Sequence, residues 1–152
     1  MLCLGISARG LVWRLFKKGE TVTSQRYCDF LGTVMGQRRQ PRYLWDDQAA
    51  AHRAKHTIEQ HAARRITRLV QVAKCQDLQL AEKMLALVSK GVYAENKQYE
   101  SVGQLHAALE QELTRLNISG EAQRIAASLW AKLPSRLQIV VEGDGSFAPD
   151  RW

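Results

Sequence analysis

The sequence predicts an α/β front half joined to an all-helical tail. Short runs rich in apolar and β-branched residues alternate with helix-forming stretches up to about residue 72, and beyond residue 100 only helical spacing remains. Of the 152 residues, 45% are apolar, enough for one core and not comfortably for two.

Residues 1–7 and 10–16 are apolar runs split by a glycine-containing turn and read as a strand pair. After the polar turn at 17–20, Tyr27, Leu31, Val34 and Met35 fall at helical spacing, with Thr23 or Ser24 as the N-cap. A basic loop, 36–41, carries Arg38 and Arg39 and leads to a short strand at 42–45 that ends on Asp46 and Asp47. Residues 49–63 are alanine-rich and predict one helix, and 66–72 predict another strand. Leu80, Met84, Leu87 and Val88 line one helical face. Ser101 with Gln104 forms a capping-box pattern ahead of Leu105, Leu109, Leu113 and Leu116. Ser119 is placed to cap a helix with Ala122, Ile125 and Leu129 that stops before Pro134. Pro134 then opens a last short helix with Leu137, Val140 and Val141, ended by Gly143.

Composition narrows the functional classes. No run is long enough for a membrane helix, and the apolar start is too short for a signal peptide, so a soluble intracellular protein is expected. Cys3, Cys28 and Cys75 are scattered, without metal-ligand spacing, and read as small buried hydrophobes. The net charge of +7 is uneven. Residues 1–75 hold 14 Lys and Arg against 5 Asp and Glu, whereas 76–152 hold 8 against 10. A basic front half suits a polyanion such as DNA, and equally a solvated surface.

Two acids occupy positions where catalytic carboxylates are useful. Asp47 follows a predicted strand at a strand-to-helix turn, and Glu82 lies near the start of the helix after the next strand. The carboxyl ends of parallel strands converge on one edge of an α/β sheet, so acids there can share hard cations such as Mg²⁺.

Five local words sharpen that reading. Asp47-Gln48-Ala49-Ala50-Ala51-His52-Arg53-Ala54-Lys55 resembles the mariner transposase pattern D-N-A-P-x-H-x-A-K, which holds the second acid of a D,D-E triad. Cys75-Gln76-Asp77-Leu78-Gln79-Leu80-Ala81-Glu82-Lys83 resembles S-P-D-L-N-P-x-E-N, which holds the third, and 34 residues lie between the two acids, as in that subgroup. The stretches 91–99, 133–140 and 19–27 are similar to further words of the family, all in order.

The resemblance implies an α/β, RNase H-like fold lacking its first strand, with residues 1–100 as a partial catalytic domain and 101–152 as its helical C-terminal extension. It implies catalytic and metal-ligating roles for Asp47 and Glu82, with Mg²⁺ or Mn²⁺ as the ancestral cofactor. It also implies DNA as the partner, joined by a homo-oligomer or another transposase chain, and a nuclear location. His52 either touches DNA or orients the site, or is a plain surface histidine. Arg53, Lys55, Arg38 and Arg39 are the DNA-contacting candidates, and Asp77 is a candidate cap for the helix of Glu82. On this match the chain starts at the second strand, so the first catalytic Asp has no counterpart. Family prolines are replaced by Ala50, Gln76 and Leu80, which loosens the turns that place Glu82. A catalytically inactive, nucleic-acid-binding remnant is therefore expected. The alternatives are a protein-interaction module acting through the helical tail, and a Mg²⁺-dependent nuclease completed by a partner chain.

Overall fold

The structure, a computed structural model, describes residues 1–36, 43–47, 49–70 and 79–145. The chain packs as two units, one of Phe16–Lys74 with Met1, the other of Leu2–Leu15 with Cys75–Trp152.

In the first unit, α1 (Ser24–Gly36) begins where the Thr23 hydroxyl accepts from the Arg26 N–H at 3.3 Å. Its inner face is Tyr27, Cys28, Phe30 and Leu31, all buried, with Val34 half-buried. The Met35 side chain, Arg38, Arg39, Cys75 and Asp77 lie outside the described residues. Two short strands, β3 (Tyr43–Asp46) and β4 (Thr67–Val70), pair in parallel with Asp46 opposite Val70.

The single helix expected over 49–63 is broken into α2 (Ala50–Arg53) and α3 (Lys55–Ala63), with Ala54 extended at φ −60°, ψ 141°. Alanine propensity favoured continuity. A side chain competes with it: Thr57, fully buried, donates its hydroxyl to the Ala51 carbonyl at 2.6 Å, the acceptor that a continuous helix would give to the Lys55 N–H. Both pieces pack against α1.

In the second unit, β1 (Leu2–Ser7) and β2 (Gly10–Leu15) form the expected antiparallel hairpin, with Ser7 opposite Gly10. Three helices pack with it: α4 (Leu80–Val92), α5 (Val102–Ile118) and α6 (Glu121–Glu142). The apolar face of α4 is Leu80, Met84, Val88 and Val92, one residue per turn. Met84, Val88, Val92, Leu113, Leu116, Ala122 and the strand residue Leu11 make the core. Ser101 caps α5 by accepting from the Gln104 N–H at 3.2 Å, and the Gln104 side chain accepts from the Glu100 N–H at 2.8 Å, one residue earlier than in a regular capping box.

Pro134 does not end the helix before it. α6 runs unbroken through Pro134 for 22 residues. An interior proline removes one helical bond and costs roughly 3 kcal/mol, but Ala122, Ala126, Leu129, Leu133 and Arg136 form one buried stripe that holds both halves in line. Leu137 and Val141, expected to pack, are exposed. Among the described residues no helix is long and apolar enough to cross a membrane.

Candidate functional site

The end of β3 carries two adjacent acids, and successive strand residues point to opposite faces. Asp46 turns inward and is 5% exposed. Its Oδ1 accepts from the Tyr27 hydroxyl at 2.6 Å and its Oδ2 from Arg68 Nε at 3.3 Å. Asp47 faces outward, with 46% of its side chain exposed. Its Oδ1 accepts from the Ala49 N–H at 2.9 Å and lies 2.6 Å from His52 Nδ1, a contact that is a hydrogen bond when Nδ1 carries the proton. Among the described residues Oδ2 of Asp47 accepts no hydrogen bond. Asp46 is thus a structural acid with both oxygens used, and Asp47 is the one with an oxygen to offer.

Tyr27 ties the two acids to the helices. Its ring lies 4.1 Å from the His52 ring, centroid to centroid, and meets His61 edge-on at 6.3 Å. One α1 side chain therefore holds Asp46 through its hydroxyl and supports the partner of Asp47 through its face.

His61, on α3, is 2% exposed, and neither ring nitrogen has a hydrogen-bond partner among the described residues. Burial pushes its pKa below the ordinary 6.5. Asp46 opposes that shift, and Arg68, His52 and Arg64 add to it. A histidine held neutral in the fold binds its proton more readily when unfolded. Its contribution to stability is therefore intact above 6.5 and falls away as pH drops from there toward the lowered folded-state value. Urea midpoints measured from pH 8 to 5 should fall for the natural chain and fall less for His61→Phe. Parallel profiles would assign the pH dependence elsewhere.

Glu82 stands in the second unit, half-buried in the first turn of α4. The helix is N-capped at Gln79 without a side-chain bond. Arg53 and Lys55 are exposed on the first unit, Lys55 making only a loose ion pair with Glu59 at 3.9 Å. Asp47 and His52 are the predicted site residues that the structure brings into contact. Tyr27, Arg68 and His61 escaped sequence reading as site residues, since each looked like an ordinary face residue of its element. A hard cation takes carboxylate oxygens such as Asp47 Oδ2, but among the described residues no three ligating side chains form a cluster able to hold a metal.

No family model and no curated protein matches the chain. Solved structures do. The catalytic domain of the Mos1 mariner transposase superposes at a TM-score of 0.77 and 23% identity, over 96% of this chain and 74% of that one. The chain has the fold of that catalytic domain. It is α/β and RNase H-like, as the resemblance implied. The same domain solved with raltegravir and Mg matches at a TM-score of 0.76 and 24% identity, over 96% of this chain and 75% of that one. The Mos1 paired-end complex with the left transposon end matches at 0.78 and 22% identity, covering 97% of this chain and 44% of the transposase chain.

Proposed function

We propose that this 152-residue polypeptide is a mariner-type, transposase-derived domain that binds DNA and does not cut it unaided. The observation carrying the reading is the Mos1 catalytic fold coinciding with the ordered mariner-like words around Asp47 and Glu82. Asp47 and Glu82 are the carboxylates that would hold Mg²⁺ or Mn²⁺, an ion that would polarise phosphodiester oxygens during strand cleavage. His52 would orient the Asp47 carboxylate, and Arg53, Lys55, Arg38 and Arg39 would meet phosphate. With two acids of a three-acid site, cleavage by this polypeptide alone is not expected. A protein acting on chromosomal DNA in this way would work in the nucleus, and a second transposase chain is the natural protein partner.

The test is duplex DNA binding followed by anisotropy over a salt series, beside a plasmid-nicking assay with Mg²⁺ or Mn²⁺. Affinity should fall steeply, the logarithmic slope losing roughly 0.9 for each phosphate contact removed by Arg53→Gln or Lys55→Gln. No nicking should appear. Salt-independent binding would sink the DNA reading, and nicking abolished by Asp47→Ala would sink the inactivity.

A second reading rests on α6. Trp130, Leu137 and Val141 are exposed at helical spacing and form an apolar stripe with Pro134, the kind of surface that binds a partner helix. Binding through that stripe would be insensitive to salt.

A further inference from the structure

The turn between α4 and α5 is not part of the proposed acid site, yet it forms an open cleft on the second unit. Tyr93 caps α4, and the short 3₁₀ turn Ala94–Asn96 follows. Glu95 and Asn96 both adopt left-handed backbone, at φ 60° and 57°. Two consecutive non-glycine residues in that region are strained, and such strain persists where surrounding structure enforces it, often at binding surfaces. The enforcing contact is visible. Tyr99 packs against the core and donates its hydroxyl to the Val92 carbonyl, the last residue of α4. The Tyr93 ring stands on it edge to face, 5.8 Å between centroids and 69° between planes, and is 51% exposed.

The result is an open cleft of about 480 Å³ whose lining includes Tyr93, Tyr99, Lys97, Gln98, Glu100 and Val102. Its chemistry is specific. A supported tyrosine face and the exposed Val102 offer a flat apolar platform. The Gln98 amide and the Glu100 carboxylate offer acceptors and a donor suited to the edge of a heterocycle that carries an exocyclic amine. The Lys97 ammonium offers a cation for an adjoining phosphate. Flat ring, polar edge and phosphate together describe a nucleotide, and every base presents a π-face to an aromatic platform.

We propose that this cleft docks one unpaired nucleobase of single-stranded DNA, stacked on Tyr93, with its phosphate at Lys97. The proposal rests on the DNA-binding reading and adds a strand-end or unpaired-base contact to the duplex contacts assigned to the basic first unit.

The experiment compares two labelled ten-nucleotide single strands, one of deoxyadenosine and one of abasic residues on the same backbone. Tyr93→Ala should weaken binding of the first by roughly 5- to 150-fold and leave the second unchanged, while Tyr93→Phe should keep the natural affinity. In the unsubstituted chain, 2-aminopurine placed in the strand should lose fluorescence on binding, a readout that does not depend on any variant folding. Equal affinity of the natural chain and Tyr93→Ala for the base-bearing strand, or unquenched 2-aminopurine in a bound strand, overturns the cleft while DNA binding stands. Failure of the natural chain to bind either strand or duplex at low salt overturns the DNA reading itself, and the cleft with it.

Discussion

Asp46→Ala should cost about 3–5 kcal/mol of folding stability, whereas Asp47→Ala, one residue along the same strand, should cost about 1 kcal/mol or less. The asymmetry follows from what each carboxylate leaves behind. Without Asp46, the Tyr27 hydroxyl loses its 2.6 Å acceptor in a buried site, and Arg68, whose side chain is 16% exposed, loses its counter-charge. A buried charge without a partner is among the costliest defects a substitution can make. Without Asp47, the Ala49 N–H and His52 Nδ1 lose a partner at a position where nearly half the side chain already meets water. Urea unfolding followed by far-UV circular dichroism would rank the two. Asp46→Asn should fall between them, since an amide oxygen still accepts from Tyr27 but carries no charge for Arg68. Equal losses for Asp46→Ala and Asp47→Ala would mean that the Tyr27–Asp46–Arg68 network adds little.

That contrast also marks how far the candidate site could be read from the sequence. The pair Asp46-Asp47 at the end of a predicted strand was legible, because an apolar run of strand formers ending in acids has few other interpretations. Strand alternation dictates that one of the two must face inward, but the alternation does not say which. The answer depends on Tyr27 and Arg68, which lie 19 and 22 positions from Asp46 and share no local pattern with it. His61 was hidden for a related reason. In the sequence it is one of several polar residues on an alanine-rich helix. Only the packing of α3 against α1 turns it into a buried ring without partners.

The fold was legible where periodicity and side-chain placement agree. Residues 1–7 and 10–16 read as a hairpin and form one, and the spacing of Leu80, Met84 and Val88 marks the buried face of α4. Local rules failed where a distant or lateral interaction outweighed them. At Ala54 a threonine hydroxyl three residues later takes the Ala51 carbonyl and breaks a helix that propensity favours. At Pro134 a continuous buried stripe keeps a helix that proline should stop. In both cases the deciding term is a contact of roughly the same size as the local preference, so propensity alone could not have decided it.

Asn117→Ala should destabilise the second unit by about 2–4 kcal/mol, although the side chain is small and only half-buried. Asn117, near the end of α5, reaches across 106 positions of sequence to Leu11 on β2. Its Oδ1 accepts from the Leu11 N–H at 2.8 Å and its Nδ2 donates to the Leu11 carbonyl at 2.8 Å. The side-chain amide thus takes the part of a neighbouring strand, pairing with the one backbone donor and one acceptor that Leu11 presents. Leu11 is 1% exposed, so water does not readily replace either bond, and each orphaned group costs roughly 1–3 kcal/mol. Gly10 belongs to the same arrangement. It sits at φ +107°, and a Cβ there would approach Asn117 Oδ1 to 2.5 Å, so Gly10→Ala should be costly through both strain and displacement of the amide. Because the two substitutions break one contact, their costs should not add, and the double variant should lose clearly less than the sum. Hydrogen exchange supplies the local readout. The Leu11 amide should lose protection in Asn117→Ala, and Asn117→Asp should preserve that protection while still losing stability, since a carboxylate accepts from the N–H but repels the carbonyl. Full protection of Leu11 in Asn117→Ala would show that β2 is held by its contacts with α5 and α6 and not by the amide.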